Sequence, residues 1–190
     1  MTEKFNHRVI ELFDKIHCLD RIQRAGWVIR GVTEAESVAA HSHFLALLTL
    51  LFTEEFPGRW DSSKALAMAL VHDLPEAVLM DIPAPASEAF LKEAKAKAEN
   101  SIFRGLFEGL PEKLSACFQE YQEQKSPEAR LVAALDKMQM MLKLGFYQKE
   151  GRGRLEEFWA NPNNFKDYGI TEVRQLFETL AREMGRKLPE

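Results

Sequence analysis

The chain has 190 residues, 46% of them hydrophobic and 28% charged, with a formal net charge of −4 at pH 7. That length suits one domain with room for a real core, and the acidic balance excludes a general nucleic-acid or membrane-surface binder, which needs a basic excess. No apolar run reaches transmembrane length, MTEKFNHRVI lacks the apolar core of a signal peptide, and Cys18 and Cys117 show no CxxC spacing. A cytoplasmic protein with two free, packed thiols is therefore expected.

Residues Glu3–Leu19 read as an amphipathic helix, with Phe5, Val9, Leu12, Phe13 and Ile16 at three- and four-residue steps. Arg21–Glu36, RIQRAGWVIRGVTEAE, is a different kind of segment. Gly26 and Gly31 interrupt any helix, and VIRGV predicts an extended piece. Arg21, Arg24 and Arg30 surround Trp27. By itself this is equally a loop pinned by its tryptophan; beside a metal, the guanidinium forks would suit a phosphate.

Ser37–Phe52 reads as a second helix, apolar nearly all round and so predicted to be central. His41 and His43 lie about 200° apart around its axis, so only one of them can readily share a site with His72. A single histidine in a core helix is more often structural than ligating. FPGRWDSS is a turn that offers Asp61 or Ser62 as N-cap. The following helix passes through ALAMALV, apolar on every side and predicted to be buried all round, and runs to His72-Asp73. Pro75 should end or bend it there. Imidazole and carboxylate at a buried helix end are costly unless paired, and a divalent cation would pair with both. Taken alone, such a dipeptide is more often a core-bonded His72 and an Asp73 capping the next turn. If the next turn is helical, Asp73 and Glu76 share a face. Asp81 then opens the proline-punctuated loop DIPAPAS.

Helical pattern returns from Ser87, where interleaved Lys and Glu read as a solvated face rather than a binding patch. Pro111 starts a helix through Phe118 and Tyr121. Ser126 as N-cap and Pro127 at the first helical position precede the apolar stretch Arg130–Tyr147. Asp136 sits in its middle and needs a partner if it points inward. Gly151–Trp159 and Glu172–Met184 read as two final amphipathic helices around NPNNFKDYG. Without repeats, linkers or clearly alternating segments, the expectation is an all-α fold with residues 1–190 in a single domain.

His41, the His72-Asp73 pair and Asp136 fall on three different helices in the order H…HD…D. Together with RxGWVxRxV…ESVAxHS, ALVHDxxEAxxxDI and YxExxSPEARxVxxLDKxxM, they make the chain resemble the HD-domain metal-dependent phosphohydrolases, in their 5′-deoxynucleotidase branch, from about Leu19 to Trp159. The resemblance implies an HD-domain helical bundle with its metal-site core at about 19–147 and C-terminal helices at 151–185. It implies His41, His72, Asp73 and Asp136 as ligands of a divalent transition metal, a set suited to Mn, Co, Fe, Ni or Zn. Only His7, His17 and His43 remain for a second ion, so one metal is expected. Glu76 would be the acid/base group and Asp81 its companion near the sugar. Arg24 and Arg30 would grip the phosphate, and Trp27 would pack against the sugar and limit its 2′ side. The implied activity is removal of the 5′-phosphate from deoxyribonucleoside 5′-monophosphates through a metal-activated water, by a homodimer.

Three positions depart from the pattern: Ala40 precedes the first metal histidine where an acid is frequent, Gly26 precedes the tryptophan, and Gln139 replaces a frequent acid. Two other readings remain open. One is hydrolysis of a nucleoside polyphosphate or alarmone, which needs a broader basic surface than Arg21–Arg30 provides. The other is a degenerate nucleotide sensor, which has no use for Glu76.

Overall fold

The computed structural model describes residues 3–83 and 91–189, whose regular structure is helical apart from one isolated antiparallel bridge between Gln23 and Ser37. In chain order the helices are α1 (Glu3–Ile16), α2 (Ala25–Val28), α3 (Val38–Glu55), α4 (Ser62–Val71), α5 (Glu76–Leu79), α6 (Lys92–Phe107), α7 (Glu112–Glu123), α8 (Pro127–Lys149), α9 (Glu156–Ala160) and α10 (Thr171–Glu183). Single 3-10 turns follow α1 at His17–Asp20 and α9 at Pro162–Phe165.

The caps fall where side-chain chemistry puts them. Ser37, Asp61 and Ser126 each accept a hydrogen bond from the backbone N–H three residues on, which opens α3, α4 and α8. α8 is the axis of the molecule. Leu131, Val132, Ala134, Leu135, Met138, Met141 and Leu144 are fully buried along it, and α3, α4, α7 and α10 pack around it. A second core joins Val71 to α6 and α7, where the Phe103 ring stacks on Phe107 at 4.3 Å and on Phe118 at 4.0 Å.

Several expectations change. α1 buries only part of its stripe: Leu12 and Ile16 pack inward, while Val9 and Phe13 are exposed. VIRGV is not extended; α2 and a turn occupy it, with Gly31 at φ +78°, a backbone conformation that favours glycine. Helix in Gly151–Trp159 is confined to α9, because Gly151 and Gly153 both take positive φ and leave the preceding turn irregular. That turn has a use. The Arg154 N–H donates to the Arg30 carbonyl at 2.8 Å, clamping the segment after α2. The two helices expected to be buried all round are not: Leu70 of α4 is 55% exposed, and α3 leaves Phe44, Leu47, Leu50 and Leu51 open. DIPAPAS and the helix start at Ser87 lie mainly outside the described residues; Asp81–Pro83 is irregular.

Candidate active site

α3, α4 and α8 meet where their histidines and aspartates stand. Ligand atoms of His41, His72 and Asp73 all lie within 4.8 Å of one another. Asp136 reaches the same point from α8, its Oδ1 3.1 Å from His41 Nε2. Asp73 Oδ2 is 3.0 Å from His72 Nε2 and 3.7 Å from His41 Nε2. His43 is exposed on the opposite side of α3, as the angular separation required.

Both imidazoles are oriented from behind. His41 Nδ1 lies 2.6 Å from Gln139 Oε1, and His72 Nδ1 lies 2.9 Å from the Ala69 carbonyl. Since both partners only accept, each Nδ1 carries a proton, and in the neutral ring each Nε2 presents a lone pair. Those two Nε2 atoms are buried without a hydrogen-bond partner. Carboxylates facing these nitrogens in a buried pocket call for positive charge: burial lowers the His72 pKa but Asp73 and Asp136 raise it by more, and a divalent metal would supply that charge in place of the proton. The donor set of neutral imidazole and carboxylate fits a first-row transition ion.

The surrounding charges are strongly coupled. Burial pushes the Asp73 carboxyl up, but His72, Arg24 and His41 outweigh it and hold Asp73 well below the usual carboxylate range. Asp136 is likewise held low against burial by Lys137, His41 and Arg24. Arg24, with Nη1 3.1 Å from Asp73 Oδ2, loses to burial but gains more from Asp73, Asp136, Asp81 and Glu76, and its pKa rises. Glu76 goes the other way. Burial first, then Asp73 and Asp81, push its carboxyl up to about 10 against the pull of Arg24 and Lys95. One of its oxygens, Oε2, is buried and unpartnered. Pro75 starts α5 so that Glu76 stands in its first turn, over the helix break that ends α4.

A cavity of about 470 Å³ takes in His72, Asp73, Glu76, Asp81, Asp136, Arg24, Trp27 and Arg30 among its walls. All the sequence-predicted site residues therefore come together, with His41 behind the wall. Asp81 is fixed by accepting the Ala25 N–H, which ties it to the loop that carries Arg24. Met80, immediately before it, adopts φ +63°, a strained conformation for a non-glycine residue that turns the chain toward that contact. Arg30 is ion-paired with Glu157 and lies over the Phe158 ring at 5.0 Å, so part of its charge is already engaged. Trp27 is 2% exposed, stacked on Phe158 at 4.8 Å and edge-on to Tyr147 at 5.4 Å.

Sequence reasoning missed one wall. Lys95 and Glu99 of α6, read as part of a solvated face, line the cavity, with Lys95 Nζ 3.8 Å from Glu76 Oε1 and 3.4 Å from Glu99 Oε1. Gln122, Tyr121 and Tyr168 complete that side. An i, i+4 Lys–Glu pair looks the same in sequence whether it faces water or a pocket; Lys97, two residues on, does face water.

The HD domain family model matches residues 16–174. The chain belongs to the HD domain family. Among curated HD-domain relatives, 5′-deoxynucleotidase HDDC2 of Homo sapiens is 33% identical over 176 residues, covering 90% of this chain and 83% of the relative. The Bos taurus protein of the same name is 34% identical, with 99% and 91% covered. Among solved structures, a protein from Pyrococcus horikoshii OT3 superposes with a TM-score of 0.75 at 37% identity, covering 93% of this chain and 98% of that one. A conserved hypothetical protein from Pyrococcus furiosus gives 0.77 at 33% identity, with 91% and 99% covered. HD domains are metal-dependent, in keeping with the buried His41, His72 and Asp73 group.

Proposed function

We propose that this HD domain is a 5′-deoxynucleotidase: it hydrolyses deoxyribonucleoside 5′-monophosphates to the nucleoside and phosphate. The observation that carries the reading is a buried carboxyl, Glu76, with its Oε2 unpartnered, beside two unpartnered imidazole nitrogens and an arginine paired to Asp73. The relatives' names point to the same chemistry.

In this reading His41, His72, Asp73 and Asp136 would hold one divalent transition metal, Mn, Co, Fe, Ni or Zn. When bound, such an ion lowers the pKa of water, orients it and screens phosphate charge. Arg24 and Arg30 bind the phosphate oxygens. As the water oxygen bonds to phosphorus and the bond to the sugar oxygen breaks, Glu76 gives its proton to the departing 5′-oxygen and regains one from solvent. Asp81 holds the Arg24 loop against the sugar side. Trp27 spends its only polar atom inside the protein, the Nε1–H donating to Glu36 Oε1 at 3.1 Å, so it offers a ligand only hydrocarbon.

The test is phosphate release from a panel of ribo- and deoxynucleoside mono-, di- and triphosphates with each metal. Release from the deoxy monophosphates is expected. Turnover confined to polyphosphates would replace the reading with the alarmone or triphosphate one, and no turnover with any metal would favour a sensor.

Residues 1–190 form one domain in this proposal. No helix among the described residues is long and apolar enough to cross a membrane, and both cysteines are free. We place the protein in the cytoplasm on its composition and its two free thiols. Phe44, Leu47 and Leu51 lie along one exposed stripe of α3, and we assign that stripe to a homodimer contact. Leu51→Glu should convert a dimer to a monomer by light scattering; a wild-type monomer would sink the assignment.

A further inference from the structure

Glu36 precedes the N-cap of α3 and is only 6% exposed, yet it carries no role in the chemistry above. Both of its oxygens are occupied. Oε1 accepts the Trp27 Nε1–H at 3.1 Å, and Oε2 accepts the Gln139 Nε2–H at 3.0 Å, with Lys143 Nζ 3.9 Å from the same oxygen. Its backbone N–H donates to the Tyr147 hydroxyl at 2.8 Å. The other end of the Gln139 amide, Oε1, meets His41 Nδ1 at 2.6 Å. A continuous buried chain thus runs from Trp27 through Glu36 and Gln139 to His41.

The chain has a direction. An indole N–H only donates, and a carboxylate only accepts. Glu36 therefore requires the NH₂ end of the Gln139 amide, which leaves the carbonyl end for His41. A carbonyl cannot donate, so His41 must carry its proton on Nδ1, and Nε2 is left as a bare lone pair between Asp73 and Asp136. Reverse the amide and the result reverses. Its NH₂ would donate to Nδ1, the proton would move to Nε2, and that N–H would satisfy Asp136 3.1 Å away instead of a cation.

We propose that Glu36 is a positioning residue for the metal: as the fixed acceptor at the end of this chain, it sets the direction of the Gln139 amide and thereby the tautomer of His41. The inference rests on the reading of His41 as a metal ligand. It also gives Trp27 and His41 a common anchor, so one carboxylate holds both the hydrocarbon wall of the cavity and a ligand of the ion.

Glu36→Gln isolates the effect, because it preserves shape and an oxygen for Trp27 but turns an NH₂ toward Gln139. Cobalt(II) titrated calorimetrically into metal-stripped protein should bind this variant about ten- to a hundredfold more weakly than wild type, the usual effect of losing a partner behind a ligating histidine. The swap Glu36→Gln/Gln139→Glu restores the polarity: the amide at 36 donates to the carboxylate at 139, whose other oxygen accepts from Nδ1. It should recover wild-type affinity within a few-fold. A merely structural role for Glu36 gives no such rescue. Binding by the single variant within threefold of wild type overturns the proposal. So does a double variant that binds no tighter than the single one or stays unfolded, which keeps the test decisive if the single variant fails to fold. Wild-type protein that binds no cobalt(II), manganese(II) or zinc(II) removes the metal reading itself and the inference with it.

Discussion

Replacing Glu76 with glutamine should make the metal-stripped protein more stable while removing most of its activity. Glu76 is 3% exposed, and its carboxyl is pushed up from 4.5 to about 10 by burial and then by Asp73 and Asp81. Between those two values the native state holds a proton that the unfolded chain has released. Stability therefore falls as pH rises through this window, by about 1.4 kcal/mol per unit. At pH 7 the cost relative to a neutral isostere is about 3 kcal/mol. Glu76→Gln lifts that cost, which for a chain of this size raises Tm by roughly 6–12 °C. The advantage should shrink toward zero near pH 4.5 and grow up to about pH 9. Thermal melts of both metal-stripped proteins at pH 5, 6, 7 and 8 measure it. The same variant, reloaded with metal, should lose roughly 10²–10⁴ in kcat, since an amide has no proton to give the leaving oxygen. A Tm difference that does not change with pH, or a variant less stable than wild type at pH 8, would show that Glu76 is not held protonated. Activity within a few-fold of wild type would move the acid role elsewhere, with Asp81 the next candidate.

Asp73→Ala removes the carboxylate shared by both imidazoles, and purified protein should drop from about one transition metal per chain to none by elemental analysis; retained metal would refute the ligand set. Trp27→Ala should narrow the preference for dAMP over AMP, because a 2′-hydroxyl against the indole is buried without a partner at about 1–3 kcal/mol. An unchanged ratio of kcat/KM values would make Trp27 a packing residue only. Lys95→Met should raise KM for dAMP about tenfold or more with a smaller change in kcat, on the scale of one charge-assisted hydrogen bond to phosphate; an unaltered KM would leave Lys95 as the partner of Glu76 and Glu99 only.

What could be read from the sequence follows the range over which each signal acts. Caps and breaks are decided within four residues, so Ser37, Asp61, Ser126 and the stop before Pro75 all appear where local chemistry puts them. The site residues other than His41 line one cavity because their motifs sit on or next to helices that the fold brings together. Lys95 and Glu36 were opaque for the opposite reason. Each owes its place to contacts far along the chain, Lys95 to Glu76 across a helix pair and Glu36 to Gln139 across 103 positions. The residues themselves, a surface-type lysine and a glutamate before a helix cap, carry no mark of it.

Helix α3 shows how an all-round apolar signal is silent about which face the chain's own core covers. An apolar residue on every face predicts that every face is covered. The chain covers one side with α4 and α8, where Leu45 and His41 are fully buried. The other side keeps Phe44, Leu47, Leu50 and Leu51 at 38–56% exposure. A helix serving only this fold would carry Lys, Glu or Gln there at no cost to the core. Periodicity does not separate the two faces of α3, because a face packed by the chain's own core and a face packed by any partner select the same residues. In the homodimer proposed above, the missing amphipathic pattern and the exposed stripe would have one cause, and Leu51→Glu tests both.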